Sequence, residues 1–255
     1  MSTFWILFGF GAMAAALLAL LAFTLATMQW GSTAAEQGAS MPGDECFGEA
    51  APVVVMTRAI SIAAAPQFVW PWLAQCGRGA GWYSVDRLDN GNRSSAWHIV
   101  SWVPPPHVGD ATAIGYLRSV EDGEALTWWA PAVRFLAADA CLAVDMHLHS
   151  EGEGSRLVIR MSAAASGFMA RPALWGFRCI DSVMARRQLL GIRARAEAYG
   201  ARTSDPGAPE TGARDQYQKY EVIYASGEGA GVRSDEQRPY RQAAIEAGLL
   251  PGAES

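Results

Sequence analysis

Three side chains that can bind metals or transfer protons alternate along one stretch of the chain: Asp145, His147 and His149. Residues two apart on a β-strand point to the same face of a sheet, so these three would share a face. Two imidazoles and a carboxylate are ligands that zinc accepts in proteins. The alternate positions of the same stretch hold Leu142, Val144, Met146 and Leu148. Because those apolar residues must face the core, the pattern favours a solvated outer face, and we expect neither a metal nor a cofactor.

A second group of residues could hold a ligand by stacking. Its members are Trp70, Trp72, Trp82, Tyr83, Trp128, Trp129 and Trp175. Such rings bury large apolar areas and stack on planar molecules, and an indole N–H or a phenol O–H can fix a ligand's polar end. The same rings also suit ordinary core packing. Trp82 and Tyr83 favour the ligand interpretation because they follow a predicted helix in a loop.

Nucleophilic, phosphate-binding and dithiol chemistry lack supporting motifs. The elbow G-x-S-x-G is missing, and the glycines of 77–81 lack the lysine and the preceding strand of a phosphate loop, so we predict a structural turn. His98 and His107 lie in predicted loops with no nucleophile beside them, and no catalytic residue is assigned. The cysteines form no CxxC pair, so neither a zinc nor a redox site is expected. They are Cys46, Cys76, Cys141 and Cys179.

Length and charge narrow the function classes. The chain has 255 residues, enough for one domain with a substantial core. Lys and Arg number 20 against 25 Asp and Glu, a net charge of −5. Nucleic-acid binding needs clustered basic residues, so we expect no nucleic-acid partner.

The beginning of the chain predicts a membrane anchor. Residues 1–35 carry no charged side chain, and 4–28 are almost wholly apolar. A helix of about 20 apolar residues crosses a bilayer, and Trp5 and Trp30 flank the run as interfacial residues do. We therefore predict a single transmembrane helix within residues 1–30. A cleaved signal peptide fits less well, because no Lys or Arg precedes the run and it exceeds about 15 residues. A buried core helix is the third alternative.

Orientation in the membrane is weakly encoded. The α-amino group is the only positive charge near the start of the anchor. Because positive charges favour the cytoplasmic side, we weakly favour an orientation with the soluble domain on the extracytoplasmic side.

The remaining chain divides by composition and periodicity. Residues 31–52 are small and polar and are predicted to be a linker. A strand over 53–62, a short helix over 66–76 and a loop-rich stretch over 77–110 follow. Four strands are predicted next, at 112–120, 125–129, 141–150 and 155–163. A long helix over 172–199 has one apolar stripe, and 201–255, with many Gly and Pro, is predicted to be a mostly disordered tail. This order indicates an α+β fold with one antiparallel sheet and one long helix.

Four segments resemble bacterial proteins of the START-like SRPBCC superfamily, many of which are named polyketide cyclase-like. They are TRAISIAAAPQFVWPWLAQCGRGAGWYSVDRLDN (57–90), VGD (108–110), SRLVIRM (155–161) and MARRQLLGIRARAE (184–197). The most specific part is APQFVWPWL followed by GWYSVDRLDN. The resemblance covers about 53–200 and implies a helix-grip fold that binds a lipid, a sterol or a polyketide, with catalysis in some branches only. It offers no catalytic residues to carry over.

Together these features predict a membrane-anchored domain that encloses a hydrophobic small molecule between sheet and long helix. We expect the ligand to contact Trp82, Tyr83, Trp128, Arg160, Met161 and Met184. One alternative is a cyclase or hydratase enzyme, with Arg160 or Tyr83 as the polar group to inspect. Another is a non-catalytic partner in a membrane assembly that uses tail tyrosines, namely Tyr217, Tyr220 and Tyr224.

Overall fold

A computed structural model describes residues 2–48, 54–101, 103–112, 115–135 and 138–204. The helices are α1 (Ser2–Met28), α2 (Ala34–Gly38), a 3-10 helix (Pro42–Phe47), α3 (Pro66–Gln75), α4 (Asp86–Asp89) and α5 (Ala170–Ser204). The strands are β1 (Val54–Ile62), β2 (Ala111–Thr112), β3 (Gly115–Glu121), β4 (Ala125–Phe135), β5 (Ala138–Glu151) and β6 (Gly154–Ser166). The predicted tail lies almost wholly outside the described residues.

The strands form one sheet of six in the order β1-β6-β5-β4-β3-β2, with every pair antiparallel. Strands β2 to β6 pair with their neighbours in chain order as a meander, and β1 pairs with β6 over its whole length. The long helix α5 packs across one face of this sheet. The predicted α+β helix-grip arrangement is therefore confirmed.

Alternation along the strands builds the core between the sheet and the helices. The inward residues of the strands include Ile60, Ile62, Leu126, Trp128, Val144, Met146, Leu157 and Ile159. From the other side, α3 contributes Val69, Trp72 and Leu73, and α5 contributes Leu189, Ile192 and Ala196. The helical residues recur every three or four positions, so each helix presents one apolar stripe to the sheet.

β4 is longer than the sequence predicted. Its pairing with β5 shifts between Ala130 and Val133 and then resumes to Phe135. Pro131 lies in this irregularity, where its missing N–H removes no regular ladder bond. The predicted strand ended at Trp129, whereas a register shift at Pro131 lets β4 continue to Phe135.

The opposite face of the sheet is also covered, and this corrects the linker prediction. Residues 34–47 form α2 and the 3-10 helix, and the 3-10 helix packs against β4, β5 and β6. Asp145 is consequently buried, His147 is half-buried and only His149 is exposed. The expected solvated face is thus restricted to the end of β5.

A row of polar side chains on this outer face binds residues 34–47, which we call the covering segment. Thr127, Asp145, Arg160 and Thr57 lie directly opposite one another on β4, β5, β6 and β1. The Asp145 carboxylate accepts hydrogen bonds from the Gly43 N–H at 2.9 Å and from the Thr127 hydroxyl at 2.8 Å. Burial raises the pKa of Asp145 above its ordinary value, and these two bonds oppose the shift.

Arg160 is the principal contact between sheet and covering segment. Its guanidinium donates to the Thr57 hydroxyl at 3.0 Å and to the Asp44 carboxylate at 3.0 Å. It also donates to the backbone carbonyls of Ala39, Glu36 and Gln37 at 2.6, 2.9 and 2.9 Å. A buried arginine satisfied in this way fixes residues 36–44 in position.

α1 is joined to the domain at its C-terminal end. The buried Arg58 donates to the Thr27 carbonyl at 2.8 Å and pairs with Asp181 of α5 at 2.6 Å. Large apolar residues along α1 are 45–66% exposed: Trp5, Phe8, Phe10, Met13, Leu17, Leu18 and Phe23. Within the part of the chain that the structure describes, no helix is found that is both long and apolar enough to span a membrane. The structure therefore does not support the predicted transmembrane helix.

Replacing Arg160 tests the role of the covering segment. We expect Arg160→Gln to lower the free energy of unfolding by more than about 2 kcal/mol, because it removes several hydrogen bonds to the charged guanidinium at once, including that to the buried Thr57 hydroxyl. Urea unfolding measures the loss, and limited proteolysis between residues 31 and 48 should accelerate. Arg156→Gln is the matched control: Arg156 pairs with Glu36 on the same face but is partly exposed, so its loss should stay near 1 kcal/mol or below. Equal losses in the two variants would contradict this assignment.

Candidate ligand-binding site

The loop after α3 carries Trp82 and Tyr83 into the core. Gly77, two residues after the end of α3, has φ +68°, a backbone conformation that residues with a Cβ atom rarely adopt. A Cβ atom on Gly77 would lie 2.2 Å from the Trp82 ring. The predicted turn at 77–81 therefore also provides the surface on which the Trp82 indole packs.

Tyr83 is held by buried polar groups. The Gln75 side-chain amide donates to the Tyr83 hydroxyl at 2.8 Å and to the His98 carbonyl at 3.1 Å. The amide oxygen of Gln75 accepts the Val100 N–H at 2.8 Å, and the Tyr83 N–H donates to the Ser95 hydroxyl at 3.1 Å. Tyr83 itself adopts φ +61°, a strained conformation that the surrounding bonds stabilise.

α5 fixes the same loop from the other side. Arg195 donates to the Ala96 carbonyl at 2.7 Å. Its guanidinium lies 4.7 Å from the centre of the Tyr83 ring and 4.2 Å from that of Trp97, distances typical of cation–π contacts. Gly191 permits this approach, since a Cβ there would lie 2.2 Å from the Tyr83 carbonyl oxygen.

Six rings of the interior make up what we call the aromatic chain. Ring contacts join Phe68, Tyr199, Trp72 and Tyr83 in one set and Trp82 and Trp128 in another, and the two sets are linked by the backbone between Trp82 and Tyr83. The centroid distances are 6.2 Å for Phe68–Tyr199, 6.1 Å for Tyr199–Trp72 and 6.0 Å for Trp72–Tyr83. Trp82 directly precedes Tyr83 in the sequence, and its ring centroid lies 6.4 Å from that of Trp128. The aromatic chain thus runs from α3 and α5 to the inner face of β4.

Two indoles of the aromatic chain have unused donors. Trp72 is 0% and Trp128 1% exposed, and the Nε1–H of each has no partner among the described residues. A buried donor without an acceptor costs about 1–3 kcal/mol. These N–H groups are therefore points at which a ligand's oxygen would be favourably bound.

Tyr83 adds a neutral polar group beside them. Burial raises the pKa of its phenol well above the ordinary value, and the Gln75 hydrogen bond opposes that shift. The phenol consequently stays protonated at neutral pH, which suits hydrogen bonding and not proton abstraction.

The structure brings three of the predicted contact residues together: Trp82, Tyr83 and Trp128 lie in one buried cluster. Met161 faces the same interior from β6 and is half-buried, between the main core and a smaller cluster that includes Met56 and Leu174. Met184 is half-buried on α5.

Arg160 does not belong to this interior. Successive residues of a strand point to opposite faces, so Arg160 and Met161 cannot both face the ligand. Met161 packs inward, and Arg160 donates its hydrogen bonds to the outer covering segment. Arg160, predicted to contact a ligand, therefore lies on the opposite face of the sheet from Trp82, Tyr83 and Trp128.

Sequence reasoning missed three residues of the site. Trp72 was noted among the aromatic residues but not as a ligand contact. Gln75 lies three residues after Trp72 on α3 and is buried, a position that could have indicated a polar group facing the core. Arg195 lies off the apolar stripe of α5, and nothing in its local pattern indicated its contact with the loop.

Metal binding finds no support in the described part of the chain, where no group of three or more potential ligands comes together. No family model matches this chain, and no curated protein matches it either.

Solved structures similar to this chain include DynU16 of the dynemicin biosynthetic locus, with 17% identity and a TM-score of 0.35 over 55% of this chain and 47% of that one. This chain thus spans about half the length of DynU16. The di-domain ARO/CYC protein StfQ of the steffimycin pathway matches with 12% identity and a TM-score of 0.35, over 60% of this chain and 52% of its own. An AHSA1-like protein from Rhizobium etli has 14% identity and a TM-score of 0.33, over 58% and 84%. The helix-grip assignment rests on the strand order and α5, since likeness at this level adds no argument.

Alanine substitutions at two glycines test whether Trp82 packs on Gly77. Gly77→Ala should lower the free energy of unfolding by more than Gly152→Ala, because only Gly77 adds a clash with an indole ring to the strain of positive φ. Gly152 has φ +61° and nothing within 4 Å of a Cβ, so it reports the strain alone, about 1–2 kcal/mol. Urea unfolding and near-ultraviolet circular dichroism measure both effects. Equal losses with unchanged spectra would show that Trp82 does not pack on Gly77.

Proposed function

We propose that this chain binds a hydrophobic small molecule bearing oxygen acceptors, held between the sheet and α5 along the aromatic chain. The observation that carries the proposal is the pair of buried indole N–H groups of Trp72 and Trp128, which lack partners among the described residues. An apolar interior with a few convergent donors is the usual composition of a small-molecule site.

The surroundings favour a neutral, planar ligand. Rings of the aromatic chain offer stacking surfaces and edges, which suit flat molecules better than flexible acyl chains. Arg195, the nearby cation, is already occupied by the carbonyls of Ala96, Gly191 and Ser95. An anionic ligand would therefore find no free counter-charge there, whereas carbonyl or hydroxyl oxygens would find N–H donors. The START-like resemblance of the sequence points to the same class, a polyketide-like molecule.

Catalysis by a cyclase or hydratase remains the alternative hypothesis. Such a reaction needs an acid or base beside the ligand with a suitable pKa. Of the two groups named from the sequence, Arg160 lies on the other face of the sheet. The Tyr83 phenol, whose pKa is raised by burial, is the group left to test.

A matched pair of ligands tests the binding proposal. Anthraquinone and anthracene share a tricyclic shape, but only anthraquinone carries oxygen acceptors. Titration of the full chain by intrinsic fluorescence should give tighter binding of anthraquinone. Trp72→Phe and Trp128→Phe should each lower the affinity for anthraquinone by about 5- to 100-fold, which corresponds to the loss of one buried hydrogen bond. The affinity for anthracene should stay nearly unchanged.

Trp129→Phe is the control, because Trp129 contacts Phe47 on the outer face of the sheet. Its affinities should match those of the unaltered chain. Equal binding of the two ligands, or equal loss in all three variants, would contradict the proposal.

The second part of the proposal is that α1 associates with a membrane and that the domain following α1 lies on the extracytoplasmic side. Its support is the uncharged sequence of residues 1–35 and the exposure of large apolar side chains along α1. Exposed apolar patches of this kind mark protein or membrane contacts.

Deleting residues 2–22 tests this association while keeping Thr27, whose carbonyl binds Arg58. The full chain should stay with the membrane fraction after alkaline carbonate washing, and the deletion variant should be released in folded form. Release of both proteins would contradict an association through α1.

A further inference from the structure

The first half of α5 is apolar on two opposite sides. Its inward side buries Leu174 and Ala185 against the sheet, while Trp175, Ile180 and Val183 on the outward side are 41%, 46% and 46% exposed. A helix that is apolar all round is normally covered on all sides. The outward side therefore lacks a covering surface within the described chain.

Phe168 extends the same surface. It lies in the turn between β6 and α5 and is 97% exposed. A phenyl ring so fully in water at the end of a domain is a costly arrangement unless another apolar phase receives it.

Arginines border this apolar surface. Arg171, Arg186 and Arg187 are exposed, and the only acidic residue within 154–196 is Asp181, which is buried against Arg58. On the strands of the described chain, Asp139 places an exposed carboxylate at this end of the sheet, opposite Ser166 on the neighbouring strand. The surface is thus apolar with a net positive border.

The other end of the sheet has the opposite character. The turns β3–β4 and β5–β6 meet there, and they expose Glu121, Asp122, Glu124, Glu151 and Glu153. The domain therefore has an apolar, arginine-bordered end and an acidic end, which would orient it toward a negatively charged surface.

We propose that Phe168, Trp175, Ile180 and Val183, bordered by Arg171, Arg186 and Arg187, form a docking face that lies on an anionic lipid bilayer. Apolar side chains entering the headgroup region together with arginines at phosphate level are the pattern of interfacial membrane contacts. The docking face deepens the membrane part of the proposed function and does not depend on a membrane-crossing segment.

The position of α1 agrees with this placement. α1 ends against α5, where the Arg178 guanidinium contacts the Met28 sulfur at 2.6 Å. Directly after α1, Trp30 lies under Arg186, with the guanidinium 5.2 Å from the ring centre. The apolar surface of α1 therefore joins the domain beside the docking face, and one bilayer could receive both.

Hydrogen exchange with mass spectrometry tests the docking face on the full chain. Vesicles of phosphatidylcholine containing phosphatidylglycerol should slow exchange of residues 167–184, and the acidic turn at 121–124 should not change. Vesicles of phosphatidylcholine alone should protect 167–184 much less, because the arginines then lack anionic partners. Equal protection by the two vesicles would overturn the anionic assignment.

Amino-acid substitutions test whether vesicle binding depends on the docking face or on exposed apolar residues in general. Phe168→Ser with Trp175→Ser should abolish the protection of 167–184, whereas Leu88→Ser, at a residue 68% exposed elsewhere, should retain it. Arg171→Gln and Arg187→Gln should each raise the vesicle concentration needed for half-protection about fivefold. Arg87→Gln, at an exposed arginine outside the docking face, should not.

The exchange pattern also distinguishes this proposal from that on α1. Protection of 2–28 without 167–184 would overturn the docking face and leave the α1 association intact, and the reverse pattern would do the opposite. Protection of 167–184 that appears without vesicles and rises with protein concentration would assign the surface to a second copy of this chain and overturn lipid docking.

Discussion

Alternation along β4, β5 and β6 sends apolar side chains to one face of the sheet and polar side chains to the other, and helices cover both faces, the outer one only over its central part. The inner face is covered by α3 and α5, whose apolar stripes match it. The outer face carries Asp145 and Arg160, which could not be covered by another apolar layer without large desolvation costs. The covering segment therefore brings backbone carbonyls to Arg160 and a backbone N–H to Asp145. The remaining architecture follows from this division of the sheet into two sides.

The candidate site uses the inner side, and its geometry is set by a few buried polar groups. Gln75 and Arg195 do not face a ligand in the structure but hold the loop that carries Tyr83. The indole N–H donors of Trp72 and Trp128 remain without partners among the described residues. Gln75 and Arg195 are paired within the chain, whereas the two indole N–H groups are not, and this difference is the basis for proposing that the indoles contact a ligand.

The ends of the sheet differ as sharply as its faces. Hairpin turns concentrate carboxylates at one end, while the β6–α5 turn and the start of α5 concentrate apolar side chains and arginines at the other. Such polarity has no evident role in packing, because these side chains are exposed. It is explained if the domain works in one orientation, with α1 and α5 on the same side.

The sequence by itself determined the order of the long strands and of α3 and α5, because hydrophobic periodicity is local and each of these elements needs only its own residues to show it. It also placed Trp82, Tyr83 and Trp128 among the ligand candidates, and these three meet in one cluster. The membrane anchor within residues 1–30 stays a prediction from composition alone.

Tertiary structure decided the features that join residues far apart in the chain. Residues 34–47 read as a linker because their partner, Arg160, lies more than a hundred positions away. The same contact removed Arg160 from the ligand site, and the alternation that places Met161 inward could have predicted its direction. Only packing could show that β4 continues past Pro131 or that the Trp72 and Trp128 donors lack partners. Local periodicity predicts the face of a strand or helix on which a residue lies, whereas only the folded chain determines which distant residues pack against that face.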